Sequence, residues 1–191
     1  TVLNNPSLLV NDPGFIRANE LWRSGILNEA NNEFEQLRLK AASDPVMSYQ
    51  LLNYLLELGY YRPAIFTARQ ILDMAGMDDA SSLTAPQYFN HVRFGTYYSE
   101  LVLEYAEKYN FHPLFLFSVI RQESLFESFI RSSASASGLM QIMPATGEDI
   151  ASSIGWPPEY SASDLYRPIV NLLYGIDYLD RQRNLFSGDL Y

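Results

Sequence analysis

The sequence predicts an all-α protein in two parts, a helical-repeat segment over residues 1–84 and a second helical domain over residues 85–191. Three observations predict it. Apolar residues recur with the 3.6-residue period of helices through most of the chain, and Val/Ile/Thr-rich alternation bounded by turns is missing. The N-terminal part repeats itself at a fixed shift. A loop rich in small, acidic and Pro/Gly residues, Ala75 to Pro86, then separates this part from the rest. Helices are expected near residues 14–25, 28–42, 45–58, 61–75, 96–109, 113–126, 144–154 and 168–184.

The first four helices carry the repeat. Leu21, Gly25, Ala30 and Leu37 recur as Leu55, Gly59, Ala64 and Ile71, each 34 positions on. A small residue at the turn between two helices, followed by Ala where they touch, is what a helical hairpin needs. The shift matches the tetratricopeptide period, so the segment reads as TPR-like. Such a pair cannot bury its apolar face alone and should stack on a neighbour.

In the second part, Leu101, Val102, Tyr105 and Ala106 form one apolar face. Asn110-Phe111-His112-Pro113 ends that helix and starts the next, with Pro at a tolerated first position and His112 read as a turn or capping residue. In the following helix Leu116, Val119 and Ile120 stand at i, i+3 and i+4, and Glu123 is the next member of the stripe. A carboxyl on a core-facing stripe is expected to lose hydration, which disfavours its charged form and raises its pKa. An acid kept protonated in this way can protonate a leaving oxygen. Small residues up to Ser137 let backbone approach the acid, and Gly138 offers a position free of Cβ. Gln141 supplies a donor and an acceptor, Met140 and Met143 an adaptable apolar surface, and Pro144 restarts a helix.

Composition narrows the function classes. Net charge is −9 and no Lys/Arg run exists, which argues against a nucleic-acid partner. With no Cys and two His, neither a disulfide framework nor a thiolate or His-based metal site is expected. No Gly-rich phosphate loop occurs, so no cofactor is implied. No apolar run reaches the roughly 18–20 residues that span a bilayer. The chain opens on Thr1-Val2-Leu3 without a basic and then apolar leader, and reads as a mature form or a piece of a longer protein.

Glu123-Ser124, then Ser132, then Gly138-Leu139-Met140-Gln141-Ile142-Met143-Pro144-Ala145-Thr146, resembles the soluble lytic transglycosylase (SLT) domain of the lysozyme-like peptidoglycan enzymes. The likeness runs on through Asn171-Leu172-Leu173-Tyr174-Gly175-Ile176-Asp177-Tyr178-Leu179 and covers about residues 96–191. The helical repeats are similar to the α-superhelix that precedes this domain in some members.

The resemblance implies a lysozyme-like helical domain in which Glu123 is the single catalytic acid and later base. It would cleave the bond between N-acetylmuramic acid and N-acetylglucosamine, the muramyl 6-hydroxyl attacking to give a 1,6-anhydro product. One carboxylate would then suffice, where most glycosidases use two. Ser132 would hydrogen-bond near Glu123 and the sugar, Gln141 and Met143 would line the cleft, and Tyr178 would sit beside the acid. The implied partner is the peptidoglycan glycan strand, in the periplasm or cell envelope, and the repeats could hold a protein partner. Two alternatives stay open: a hydrolytic muramidase of the goose-lysozyme type, and a catalytically silent glycan-binding or scaffold module. Two departures stand out. Ser135 occupies a position where the family usually has Gly. The segment like Ala-Tyr-Asn-Ala-Gly, which in relatives follows soon after the position of Tyr191, is missing. The domain is therefore expected to be C-terminally incomplete, with weak or no activity by itself.

Overall fold

The computed structural model describes residues 6–186. The opening Thr1-Val2-Leu3 and the last segment, on which the expectation of an incomplete domain falls, lie outside the described residues. Among the described residues, the regular elements are all helices, with two isolated antiparallel bridges, Arg131 to Ser137 and Ser137 to Ile142. The all-α expectation holds. The chain divides into two compact units, Thr1–Gly95 and Thr96–Tyr191.

The first unit contains α1 (Pro13–Arg23), α2 (Leu27–Lys40), α3 (Pro45–Glu57), α4 (Tyr61–Met74) and α5 (Gln87–Arg93), with a 3-10 turn at Ser81–Thr84. α1 packs on α2 and α3 on α4 as two helical hairpins. α1 and α3 start alike. Asp12 accepts from the N–H groups of Gly14 and Phe15, and Asp44 from those of Val46 and Met47, each followed by Pro at the first helical position. Two of the four repeat pairs behave alike, while Leu21 and Ile71 are less buried than their counterparts Leu55 and Leu37. Gly25 and Gly59 both turn the chain with φ near the left-handed value (74° and 73°), and Ala30 and Ala64 are both buried. Aromatic rings fill the interior: Tyr60 meets Trp22 and Phe34 edge-on, and its hydroxyl donates to the Leu27 carbonyl at 2.6 Å.

The sequence places a boundary after residue 84, whereas the first compact unit runs on to Gly95. The reason is α5, which packs on α4 and buries Val92. This seven-residue helix is too short to show a periodicity of its own.

The second unit contains α6 (Ser99–Tyr109), α7 (Pro113–Ser124), α8 (Pro144–Ile154) and α9 (Pro168–Leu185), with a 3-10 turn at Ala162–Tyr166. α7, α8 and α9 each begin on Pro, and His112 caps α7 by accepting from the Leu114 N–H at 3.2 Å. α9 is the central helix. Residues Val170 through Ile176 are all buried, and α6, α8 and the second 3-10 turn pack against it. A helix stretch buried all round reads as a nearly continuous apolar run, as Val170 and Leu172-Leu173 do on either side of Asn171. Arg183, in its last turn, donates to the carbonyls of Tyr109 (2.8 Å) and Asn110 (2.9 Å) and lies 4.2 Å from the Phe111 ring centre. It thereby closes the open carbonyl end of α6.

Candidate active site

α7 delivers Glu123 to the surface at its last turn. Leu116 and Ile120 are fully buried, Val119 is half-buried, and Glu123 is exposed. The stripe thus leaves the core as the helix ends, and the expectation of a desolvated Glu123 is not met. The chain turns away directly after it. Leu125 and Phe126 both take left-handed backbone conformations (φ 50° and 65°), and buried Ser124 holds the turn by accepting from the Phe126 N–H at 3.1 Å. Its hydroxyl also donates to the Ile120 carbonyl at 3.1 Å, which makes Ser124 structural.

Glu123 opens onto a cavity of about 280 Å³, with Val119 beside it on α7. Met140, Gln141, Ile142 and Met143 form one wall, with Thr146 from the first turn of α8. Gly175, Tyr178 and Leu179 of α9 complete the lining. Glu123 is the one carboxylate among these residues. Met143 and Tyr178 remain 42% and 41% exposed, so two adaptable surfaces face the opening rather than the core.

The wall from Ser137 to Ile142 is a tight turn. Ser137 and Ile142 exchange both backbone hydrogen bonds at 3.0 Å, and the Gly138 N–H donates to the Ile130 carbonyl at 2.9 Å. Gln141 takes φ 49°, a conformation uncommon for a residue with a side chain. Its Nε2 donates to the Gly138 carbonyl at 2.8 Å and more weakly to that of Ile130 at 3.5 Å. Both bonds use the nitrogen and leave Oε1 as an acceptor for a ligand.

Four of the five residues singled out in the sequence, Glu123, Gln141, Met143 and Tyr178, line one cavity. Ser132 is not among the lining. Its hydroxyl accepts from the Ala136 N–H at 3.0 Å, and its own N–H donates to the Ala136 carbonyl at 2.8 Å, so it ties the loop to itself. Asn171 was given no role by the sequence, yet it organises the wall. It is 0% exposed, accepts from the Met140 N–H at 2.7 Å, and donates to the carbonyls of Ser137 and Leu165, both at 2.8 Å. The signal was present: one amide in an otherwise apolar run, in helical register with Gly175 and Tyr178 at i+4 and i+7.

Tyr174 of α9 is fully buried with its hydroxyl donating to the Trp156 carbonyl at 2.8 Å, and burial pushes its pKa up to about 12. Beside it, Tyr160 is also raised by burial, with Glu148 and Asp164 adding to the effect. Among the described residues no cluster of His, Cys, Asp and Glu could hold a metal, and no helix is long and apolar enough to cross a membrane.

Comparison with known proteins follows the same division. Residues 100–191 match the family model described as the transglycosylase SLT domain. A putative soluble lytic murein transglycosylase of Haemophilus influenzae is 31% identical over 111 residues, covering 58% of this chain and 18% of that protein. The soluble lytic murein transglycosylase of Salmonella typhimurium is 25% identical over 188 residues, 97% of this chain and 26% of the relative. The chain therefore spans about a quarter or less of the length of these relatives. Among solved structures, an inactive glutamate-to-glutamine mutant of the lytic transglycosylase Slt from Pseudomonas aeruginosa superposes with a TM-score of 0.71 at 25% identity. It covers 97% of this chain and 29% of that one. The expected lysozyme-like helical architecture agrees with this likeness.

Proposed function

We propose that the protein is a lytic transglycosylase of peptidoglycan, from the match of residues 100–191 to the transglycosylase SLT domain model and from its lytic murein transglycosylase relatives. The observation that carries the reading is Glu123 as the one carboxylate in a cavity otherwise lined by an amide, a phenol, a threonine and apolar groups. A two-carboxylate glycosidase needs a second acid across the scissile bond, and this lining offers none.

In the proposed reaction the Glu123 carboxyl donates its proton to the glycosidic oxygen between N-acetylmuramic acid and N-acetylglucosamine. The C1–O bond breaks and the N-acetylglucosamine leaves as an alcohol. The Glu123 carboxylate then takes the proton of the muramyl 6-hydroxyl, whose oxygen bonds to C1 and closes the 1,6-anhydro ring. No water is consumed, and Glu123 ends protonated as it began. A glycan seated in the cavity would itself cover Glu123, which is exposed in the free protein. Gln141 Oε1 is suited to accept from a sugar amide or hydroxyl, and Met143 and Tyr178 to pack on sugar faces. Ser132 is assigned the shaping of its loop.

The reading carries a location with it, the periplasm or cell envelope where the substrate lies. The helical hairpins are proposed as scaffold, with a protein partner as a further use. Digestion of purified sacculi with mass analysis of the products is the test. Anhydromuropeptides formed by the parent and not by Glu123→Gln support the reaction. Products heavier by one water identify a hydrolytic muramidase instead, and glycan binding without products identifies a silent binding module.

A further inference from the structure

We infer that Asn171 is a positioning residue of this site, holding the Gly138–Gln141 turn in place in the cavity that Glu123 and Gln141 share, so that Gln141 can meet the glycan; the inference rests on the reaction proposed above. Asn171 is not itself among the residues that line the cavity. It acts through the backbone of the turn, by accepting from the Met140 N–H and donating to the Ser137 carbonyl. Its third bond, to the Leu165 carbonyl, anchors the same amide to the second 3-10 turn. A side-chain amide offers four hydrogen-bonding positions, and three are used with no exposure to water. Leaving such a group unpaired in the interior is unfavourable, so the amide and the turn fix one another.

The neighbouring glycines show how closely the turn is seated on α9. A Cβ on Gly138 would come within 2.7 Å of Asn171 Cγ, and a Cβ on Gly175 within 2.7 Å of Met140 Cβ. Each glycine gives up its side chain to the partner's atoms. Asn171 and Gly175 lie one helical turn apart, so α9 presents an amide and then a gap, into which the turn and the Met140 side chain fit. Tyr178, the next residue on that face, reaches the cavity itself. Gln141 sits one residue beyond the N–H that Asn171 holds. Reaction geometry is sensitive to displacements of about 1 Å, which can lower rates on the order of 100-fold.

The experiment measures cleavage of solubilised glycan strands by the parent, Asn171→Ala, Gln141→Ala and the double variant, with amide hydrogen exchange read in parallel. Expected for Asn171→Ala is a fall in kcat/KM of roughly 10- to 100-fold, with faster exchange confined to residues 137–142 and to the 3-10 turn. The double variant should lose little beyond Gln141→Ala, because both changes remove the same contact. If Asn171→Ala does not fold, Asn171→Asp replaces it; that change keeps the acceptor for Met140 and loses both donations. Multiplicative losses in the double variant overturn the inference. So do undiminished kcat/KM, or exchange that rises evenly over the whole unit, the mark of a purely structural role. A parent that cleaves no glycan overturns the proposed reaction and this role with it; a cleaving parent equalled by Asn171→Ala overturns the positioning role alone.

Discussion

The side-chain amide of Asn171, together with the Leu165 carbonyl that it bonds, fills the space that a side chain on Gly138 would need. The ideal Cβ of residue 138 would stand 2.7 Å from Asn171 Cγ, on a backbone with φ +78°. Gly138→Ala is therefore expected to destabilise the protein by about 2–4 kcal/mol, from left-handed strain and overpacking together. Gly25→Ala shares a φ of +74° but meets nothing within 4 Å, so it should lose only about 1 kcal/mol. Urea unfolding of the two variants checks the difference.

Glu123→Gln should abolish glycan cleavage, by at least about 100-fold, as expected for loss of a general acid. It should leave stability within about 0.5 kcal/mol of the parent, because Glu123 is exposed. Product analysis and a thermal melt on one preparation test both halves.

Alkaline pH should weaken the second unit through Tyr174. Burial raises the pKa of its phenol to about 12 in the folded state, against 10.0 for the free group. The stability tied to that difference is complete below pH 10 and is lost as pH rises from 10 towards 12. Tyr174→Phe should lose about 1 kcal/mol at neutral pH with the Trp156 hydrogen bond. It should also flatten the decline above pH 10. Denaturant titrations at pH 8, 10 and 11 read the slope.

Arg183→Ala should destabilise by about 1–2 kcal/mol, through two carbonyl acceptors of α6 and the Phe111 face losing their cation. Faster amide exchange at the end of α6 is the local signature, with the Glu123 cavity unaffected.

The helices were legible because each announces itself locally. Pro45, Pro113, Pro144 and Pro168 stand at first helical positions, and the apolar stripes follow. Repeat arithmetic on Gly25 and Gly59 found two turns of the same conformation. Helix α5 escaped because seven residues span barely two turns. At the site, spacing placed Glu123 on the right face but could not tell where along α7 burial stops. A stripe gives direction, and depth depends on what the rest of the chain lays over it. Ser132 lies outside the cavity lining, since a short polar side chain serves its own loop as readily as a ligand. Asn171 went unassigned because its partners are backbone groups 31 and 34 positions away, at Met140 and Ser137, and another at Leu165.

Helix α9 runs for 18 residues, about 27 Å. Along that one rod lie the amide that seats the turn, the notch for Met140, the phenol at the opening and, near its far end, the guanidinium that caps α6. A slide of the rod along its axis would thus register at every station together. The alignment proposed for the reaction and the integrity of the fold share a single ruler, and selection could not retune one without re-marking the other.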